Sequence, residues 1–374
     1  MEKITLIATA TMGLESIVAR ELKYLGYGKT TTSDGKVELE GTLQDICTLN
    51  LRLRCAERIL IKIGEFEATT FDQLFDRTQE LNWSKFIPRN GQFPISRVTS
   101  VKSTLFSKSD CQSIVKKAIV KNLQKSYNLD RLPENGPAYS IQLRILRDIV
   151  TISIDTSGEG LHKRGYRTDT NIAPIKETLA AALVLLSDWK GGEKPLLDPT
   201  CGSGTILIEA GMIAKNIAPG LKRTFISEKW PLLPGSLWTE EREKALKAQK
   251  LEAPCKIYGS DINDKTCRVA RENVKNAGLE ENVSIQKLPL TEISPPSTNG
   301  TIICNPPYGE RIQEKQEAES LSIEMGRIFR NTFTNWSYFI ITPDTNFEKL
   351  FGKKATRNRK LFNGGIKCYY YQYY

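Results

Sequence analysis

A glycine-rich turn between a short apolar strand and an apolar helix constrains the fold of this chain most strongly. The segment PLLDPTCGSGTILIE runs from Pro195 to Glu209, and its predicted strand ends at Asp198. Because glycine has no Cβ atom, the backbone at Gly202 and Gly204 can approach a ligand closely. Ligands of open α/β sheets bind at the carboxyl ends of the strands. The turn therefore predicts a ligand site on a doubly wound, mostly parallel sheet.

The turn alone leaves the ligand open. It lacks the third glycine of the dinucleotide fingerprint and the lysine of the phosphate loop. A second predicted strand, 255–260, is followed by Asp261, whose carboxylate could accept hydrogen bonds from ribose hydroxyls. Alternatively, Asp261 or Asn263 simply caps the next helix. Between the two motifs lies an insertion, 214–253, that carries Trp230 and Trp238. The candidate cofactor-binding residues are Asp198, Thr200, Gly202, Gly204, Asp261 and Ile262.

A third predicted strand leads into the motif that indicates the chemistry. Residues 302–309 read IICNPPYG, and the two prolines hold an extended backbone. The side-chain oxygen of Asn305 and the carbonyl of Pro306 can accept both hydrogens of an exocyclic amine, while Tyr308 offers a ring face to the base. Alignment and preorganised dipoles would then accelerate methyl transfer without a strong base. The predicted catalytic residues are Asn305, Pro306, Pro307 and Tyr308.

Cysteine chemistry is the alternative at these two motifs, because Cys201 and Cys304 lie within or beside them. A thiolate nucleophile would be needed for methylation of a pyrimidine C5. The only histidine, His162, is distant in sequence from both thiols. We interpret the two cysteines as packed side chains. The chain has eight cysteines, none in a C-x-x-C pair, and we expect reduced thiols and no metal site.

Charge is distributed unevenly along the chain, whose formal net charge is +10. Lysine and arginine greatly outnumber acidic residues between positions 85 and 131, as expected for a surface that binds a polyanion. A second basic stretch, 160–167, could contact an RNA backbone or simply be solvated. The candidate RNA-binding residues are Lys102, Lys108, Lys116, Lys163, Arg164 and Arg167.

The hydrophobic patterns divide the chain into several units. Residues 1–65 alternate strands and helices as a small α+β unit, and residues 66–156 contain a helix that we expect Ser109 to cap. A glycine-rich basic linker, 157–172, follows. From residue 173 to 374, helices alternate with short apolar strands, which predicts a parallel sheet wrapped by helices.

In combination, these motifs resemble the THUMP-domain class I RNA methyltransferases of the RlmL and YpsC type. The resemblance covers nearly the whole chain and rests on the segments GLHKRGYR (160–167), APIKETLA (173–180), 198–209, APGLK (218–222) and 305–311. It implies a ferredoxin-like region at 1–65, a THUMP RNA-binding domain at 66–156 and a basic linker at 157–172. It also implies a Rossmann-like methyltransferase domain at 173–374, with a seven-stranded sheet that ends in a reversed hairpin.

The resemblance further implies transfer of a methyl group from S-adenosylmethionine to guanine N2 of 23S ribosomal RNA, free or in a pre-ribosomal particle. We expect a cytoplasmic monomer without metal or membrane association. Glu310 and Arg311 could steady the target base, whereas the stretch 286–290 lacks the acidic residue that often contacts adenine in such enzymes. Two alternatives stay open: an adenine-N6 methyltransferase acting on RNA or DNA, and a non-catalytic RNA-binding or ribosome-assembly factor.

Overall fold

The structure, a computed structural model, describes residues 2–167, 175–309 and 312–374. It contains two seven-stranded sheets, one in each half of the chain. No helix in the described ranges is long and apolar enough to cross a membrane.

The N-terminal sheet runs through both of the units expected in residues 1–156, in the order β2-β3-β1-β4-β7-β6-β5. The long strand β4 pairs with β1 on one side and with β7 on the other, so the two units share one continuous sheet. The strands are β1 (Ile4–Ala10), β2 (Thr30–Ser33), β3 (Lys36–Gly41), β4 (Ala56–Glu67), β5 (Ile95–Val101), β6 (Ile141–Leu146) and β7 (Ile149–Asp155).

The strands of this sheet alternate in polarity. One face is apolar, with buried side chains such as Leu6, Ile61 and Leu143, and it packs against helices α1 (Glu15–Tyr24), α2 (Leu43–Arg52), α3 (Phe71–Glu80) and α4 (Lys108–Tyr127). The opposite face carries polar side chains, including Arg58 and Gln142. Because successive residues of a strand point to opposite sides, this alternation buries one face and leaves the other face free to line a groove.

Two local expectations in this half were wrong. Helix α4 begins at Lys108 with Ser107 as its N-cap residue, whereas we expected Ser109 at that position. Ser107 has an extended backbone and its carbonyl accepts the first intrahelical bond, from the N–H of Cys111 at 3.1 Å. Strand β2 was not expected, because its sequence TTTS is polar throughout and shows no alternation. It forms as the edge partner of β3.

The C-terminal sheet has the order β10-β9-β8-β11-β12-β14-β13. Strands β8 to β12 are parallel and β14 is antiparallel to β12, which confirms the predicted seven-stranded sheet with a reversed hairpin. Its strands are β8 (Gly192–Asp198), β9 (Cys255–Asp261), β10 (Val283–Lys287), β11 (Gly300–Cys304), β12 (Trp336–Thr342), β13 (Arg357–Asn363) and β14 (Ile366–Tyr373). The chain order reverses between β8 and β11, and a crevice for a ligand forms at such a point.

The described part of the second half contains six α-helices. They are α5 (Glu177–Leu186), α6 (Thr205–Ala214), α7 (Gly235–Lys247), α8 (Asp264–Ala277), α9 (Ile312–Thr332) and α10 (Phe347–Phe351). Of these, α7 packs against α2 of the first half. Helix α6 is apolar nearly throughout and its side chains are mostly buried, as expected for a helix between a sheet and a neighbouring domain.

The insertion between α6 and β9 connects the two halves of the protein. The indole Nε1 of Trp230 donates to the carbonyl of Ala138 at 2.9 Å, and its ring stacks on Tyr139 with centroids 4.5 Å apart. On helix α7, Glu241 accepts a hydrogen bond from the hydroxyl of Thr48 in α2 at 2.9 Å. The insertion therefore braces the N-terminal sheet against the C-terminal half.

Candidate active site

A cavity of about 480 Å³ opens where β8, β9 and β11 end. It lies at the topological switch point that the parallel strands predict. The structure brings together at this cavity seven residues that the sequence motifs had singled out, namely Asp198, Thr200, Gly202, Asp261, Ile262, Asn305 and Pro307.

The glycine turn is held in place by hydrogen bonds to the two carboxylates. The Thr200 N–H donates to Asp198 Oδ1 at 3.1 Å, and the Gly202 N–H donates to Asp261 Oδ2 at 3.1 Å. Gly202 has a φ of +52°, and a Cβ atom built there would meet nothing within 4 Å, so the backbone faces open space at this point. The second bond joins the ends of β8 and β9 into one rim of the cavity.

Gly204 is not among the described residues that line the cavity. Its role is in the packing of two helices. Its φ is +79°, and a Cβ atom would lie 3.3 Å from the Cβ of Ala270 in α8. The glycine therefore lets α6 begin close to α8, which places the start of α6 beside the cavity. Its predicted contact with a cofactor stays a prediction.

Asp261 does not cap helix α8. That role belongs to Asn263, whose side-chain oxygen accepts from the N–H groups of Lys265 and Thr266 at 2.9 and 3.3 Å. Asp261 Oδ1 accepts from the Asn263 N–H at 2.9 Å, and its other oxygen holds Gly202. The Asp261 carboxylate is thus turned toward the cavity, as a ribose-binding role requires.

The cavity is acidic. Asp198, Asp261 and Glu324 line it, and none of the described lining residues is lysine or arginine. Asp198 is buried, and this burial together with the nearby Asp261 carboxylate raises the Asp198 pKa to about 8. Such a site favours a ligand that carries positive charge and disfavours a polyphosphate, whose charges need cationic partners.

The remaining wall is apolar and was not expected from the sequence. Leu288, Pro289 and Leu290 line the cavity after β10. These residues include no acidic side chain that would have marked them as part of a ligand site in the sequence. The available signal was their position directly after β10, the strand next to β9. Ile262, which is 72% exposed, also lines the cavity, so a flat apolar ring would find contacts on these side chains.

The Asn-Pro-Pro-Tyr motif follows β11, and only two of its four residues line the cavity. Asn305 and Pro307 line it, whereas Pro306 is buried. The Tyr308 hydroxyl donates to Asn305 Oδ1 at 2.6 Å, and the Tyr308 ring packs against the hydrophobic core. Burial raises the Tyr308 pKa above its usual range, so the phenol keeps its proton. Glu310 and Arg311 lie outside the described residues.

The two cysteines near the motifs are buried thiols. Burial, together with the Asp198 carboxylate, raises the pKa of both Cys201 and Cys304 well above the usual value. A thiolate nucleophile needs a lowered pKa, so these side chains favour packing over covalent catalysis. All eight cysteines of the chain are unpaired and buried.

Arg164 does not face solvent, and its predicted role in RNA binding is wrong. Its side chain is only 2% exposed, and its Nε lies 3.3 Å from Glu209 Oε1 in α6. The same guanidinium donates to the carbonyls of Leu161 and Arg54. Because all of these partners are inside the protein, Arg164 joins the linker to both halves of the molecule and cannot also reach a phosphate.

The other linker cations differ in exposure. Arg167 is largely covered and pairs with Glu177 at 3.2 Å, while its NH2 group donates to Thr205 Oγ1 at 2.8 Å. It therefore holds the linker to the starts of α5 and α6, close to the cavity. Lys163 is exposed and pairs with Glu159 at 3.1 Å, so it can still reach an external anion.

The lysines predicted to bind RNA around α4 also differ. Lys102 and Lys108 are exposed at the two ends of the loop between β5 and α4. Lys116 is partly covered, pairs with Glu134 at 2.8 Å and lies 3.4 Å above the centre of the Phe93 ring. Its charge is largely used within the protein, and Lys102 and Lys108 are the better candidates.

Three family models match most of the chain. The family model for the RMKL-like methyltransferase domain matches residues 164–372. The chain belongs to this family. Models for the RlmL ferredoxin-like domain and the THUMP domain match residues 5–60 and 68–155.

Both relatives named here match nearly the whole chain, but the chain spans different shares of their own lengths. "Putative RNA methyltransferase YpsC" of Bacillus subtilis is 47% identical over 100% of this chain and 97% of its own length. "Ribosomal RNA large subunit methyltransferase K/L" of Syntrophotalea carbinolica is 32% identical over 98% of this chain. The chain spans 53% of that relative's length.

Solved structures show the same arrangement over the full chain. The structure of SMU.472 complexed with SAH has a TM-score of 0.93 at 42% identity and covers 100% of this chain and 98% of its own. A structure from Listeria monocytogenes, titled as a "predicted N6-adenine-specific DNA methylase", has a TM-score of 0.94 at 44% identity, with coverage of 100% and 97%. The order of domains is therefore common to this part of the family.

Proposed function

We propose that the protein transfers a methyl group from S-adenosylmethionine to an exocyclic base amine of structured RNA, specifically guanine N2 of 23S ribosomal RNA. The observation that carries this proposal is a shared cavity. The glycine turn with Asp198 and Asp261 lines one part of it, and Asn305 with Pro307 lines another. A donor and an acceptor amine can thus meet in one space.

The lining residues fit S-adenosylmethionine. The ligand carries a sulfonium and an ammonium group, and Asp198 and Asp261 provide carboxylates without a cationic partner among the described ion pairs. Asp261 would accept hydrogen bonds from the ribose hydroxyls. The apolar wall at Leu288 and Ile262 would contact the adenine ring. The structure of SMU.472 with SAH, a product of this kind of donor, supports the same assignment.

The transfer step needs little acid–base chemistry. S-adenosylmethionine supplies an electrophilic methyl group when bound. Asn305 would accept an N–H of the target amine and direct its lone pair, and the extended Pro306–Pro307 backbone would hold a carbonyl acceptor in place. Preorganised dipoles of this type cost no reorganisation when charge develops.

RNA would first meet a basic tip on the N-terminal half, which we define as Lys102, Phe106, Lys108 and Arg147. All four side chains are exposed, and the Phe106 side chain is 80% exposed. The loop that carries three of them is braced by a bond from the Thr104 N–H to Asp148 Oδ1 at 2.6 Å. Cations beside an exposed aromatic ring suit phosphate contact and base stacking.

A groove on the polar face of the N-terminal sheet would lead from this tip toward the cavity. It has a volume of about 560 Å³ and is lined by Arg97, Arg144 and Val101, the neighbour of Lys102. At its other end lies Lys176, and the adjacent Ile175 lines the methyl-donor cavity. A single-stranded segment could therefore lie along the groove with its target base at the cavity.

The choice of guanine N2 in 23S RNA is supported by the resemblance to the RlmL type and by relatives named as large-subunit ribosomal RNA methyltransferases. The Asn-Pro-Pro-Tyr motif itself suits any planar exocyclic amine. The test is to incubate the protein with labelled S-adenosylmethionine and undermodified total RNA, and to analyse the labelled nucleosides. We expect N2-methylguanosine from large-subunit RNA.

The other outcomes of that experiment would each replace the proposed function by an alternative. Labelled N6-methyladenosine would replace guanine by adenine as the target, and no labelled RNA at all would favour a binding factor. Asn305→Ala should abolish transfer and leave SAH binding intact. Asn299→Ala is the matched control, because Asn299 is exposed at the opposite end of β11. Equal turnover by Asn305→Ala would refute the role of the motif.

A further inference from the structure

A hydrogen-bond chain runs from the C-terminal hairpin to the Asn-Pro-Pro-Tyr motif. The side-chain Nδ2 of Asn363, at the end of β13, donates to the Tyr308 hydroxyl at 3.2 Å. That hydroxyl in turn donates to Asn305 Oδ1 at 2.6 Å. The sulfur of Cys368 on β14 lies 3.7 Å from the same hydroxyl. Asn363 is the only member of this chain of bonds that lies neither in the motif nor in the core.

The direction of each bond follows from the donors available. A carboxamide nitrogen can only donate, and a phenol has one proton and can also accept. Since Asn363 donates to the Tyr308 oxygen, the single phenolic proton is free to go to Asn305. The Asn305 oxygen has two lone pairs, and one of them is occupied by Tyr308. The other remains for a target amine at the cavity.

We propose that Asn363 is a positioning residue for methyl transfer: it holds the Tyr308 hydroxyl so that its proton goes to Asn305 Oδ1 and fixes how Asn305 presents its second lone pair to the substrate. This inference rests on the proposed function. Tyr308 is then a support for Asn305 through its hydroxyl. In the structure the Tyr308 ring is packed against the core and does not line the described cavity.

The hairpin that carries Asn363 is itself firmly placed. The side chains of Leu361 and Cys368, which face each other across β13 and β14, are fully buried. Arg359 on β13 donates to Ser16 Oγ at 2.7 Å, which ties the hairpin to helix α1. A rigid support of this kind is what a positioning residue requires, because small displacements near reacting atoms are costly for the rate.

The decisive variant is Asn363→Asp, which keeps the size of the side chain and reverses its hydrogen bonding. A carboxylate can only accept, so it would take the phenolic proton away from Asn305. We expect kcat with RNA to fall about ten-fold, while KM for S-adenosylmethionine and the affinity for SAH stay within about two-fold. Asn358→Asp is the matched control, since Asn358 is exposed on the same strand, and it should retain wild-type kcat.

Two further readouts separate positioning from a loss of folding. Asn363→Ala removes the donor without adding an acceptor, so the phenolic proton can still go to Asn305, and turnover should fall less than in Asn363→Asp. A merely structural role would make Asn363→Ala the more damaging of the two, because it removes more of the side chain. In the Tyr308→Phe background, Asn363→Asp should have no additional effect, because the two residues act through one bond.

Each result decides the question. Wild-type turnover by Asn363→Asp, or additive losses in the double variant, would overturn the positioning role. A larger loss of turnover in Asn363→Ala than in Asn363→Asp would do the same, since that order is expected of a merely structural defect. If the wild-type protein methylates no RNA, the proposed function fails, and this failure is distinct from that of the Asn363 proposal.

Discussion

At the scale of single residues, burial of Asp198 makes its ionisation depend on ligand binding. It accepts one hydrogen bond from the Thr200 N–H, and its pKa is raised to about 8 by burial and by the neighbouring Asp261. A cationic ligand favours the ionised form. Binding of S-adenosylmethionine should therefore release a proton when the pH is below about 8.

The prediction from Asp198 concerns cofactor affinity. Because the free protein binds a proton that the complex does not, affinity for S-adenosylmethionine should rise as the pH is raised from about 6 to about 7.5. Measurement stays below the range where the ligand's own amino group loses its proton, at about 8. Calorimetric titration of the wild type and of Asp198→Asn at several pH values measures the affinity and its pH dependence. The variant should bind at least about ten-fold more weakly and show a flat pH profile.

The control for this prediction is Asp264→Asn. Asp264 pairs with Arg268 at the partly exposed start of α8 and does not line the described cavity. It should keep both the wild-type affinity and its pH dependence. A flat wild-type profile would refute the coupling between ligand binding and the ionisation of Asp198.

At the scale of elements, the loop between β5 and α4 combines exposed positive charge with the exposed ring of Phe106. Lys116 is committed to Glu134, whereas Lys102, Lys108 and Arg147 at the basic tip have exposed side chains. These three can release counterions from RNA when they contact its phosphates.

Reversing the charge of these three tip residues to glutamate should weaken RNA affinity by at least about ten-fold and lower the slope of log Kd against log salt by about 2. Phe106→Ala should weaken RNA binding by roughly five-fold to ten-fold without changing that slope, because stacking is not electrostatic. Fluorescence titration at several salt concentrations measures both. Unchanged RNA affinity in both variants would place the RNA elsewhere.

The control for charge itself is the glutamate triple variant of Lys349, Lys353 and Lys354. These lysines are exposed near the end of α10, so the variant has the same change in net charge at a distant site. It should keep most of the RNA affinity, and all three proteins should bind SAH equally.

At the scale of the whole molecule, the buried pair of Arg164 and Glu209 joins the linker to helix α6. Both side chains are at most 2% exposed, and Tyr166 also donates to Glu209 at 3.2 Å. Arg164→Met leaves a carboxylate buried without its cation, which should lower the free energy of unfolding by about 3 to 5 kcal/mol. Urea denaturation checks this value.

The neighbouring lysine offers the matched control. Lys163→Met removes an exposed cation and should change the free energy of unfolding by less than about 0.5 kcal/mol. Replacing Glu209 by glutamine in the Arg164→Met background should recover part of the lost stability, because the uncompensated charge is removed. If Arg164→Met were as stable as Lys163→Met, the buried pair would contribute little.

The sequence by itself determined the fold class, the parallel sheet and the position of its ligand site. Glycine turns, strand-end carboxylates and the Asn-Pro-Pro-Tyr motif are local patterns, and parallel strands place their carboxyl ends at one edge whatever the rest of the chain does. This is why residues as distant in sequence as Asp198, Asp261 and Asn305 were expected together and are found at one cavity.

Only the tertiary structure decided how charged side chains are used and which surfaces remain open. Arg164 and Lys163 are adjacent in a basic stretch, yet one is buried against Glu209 and the other is exposed. Likewise, nothing in the pattern of β13 marks Asn363 as a partner of Tyr308. Burial and pairing depend on contacts between residues far apart in the chain, and a local pattern carries no information about them.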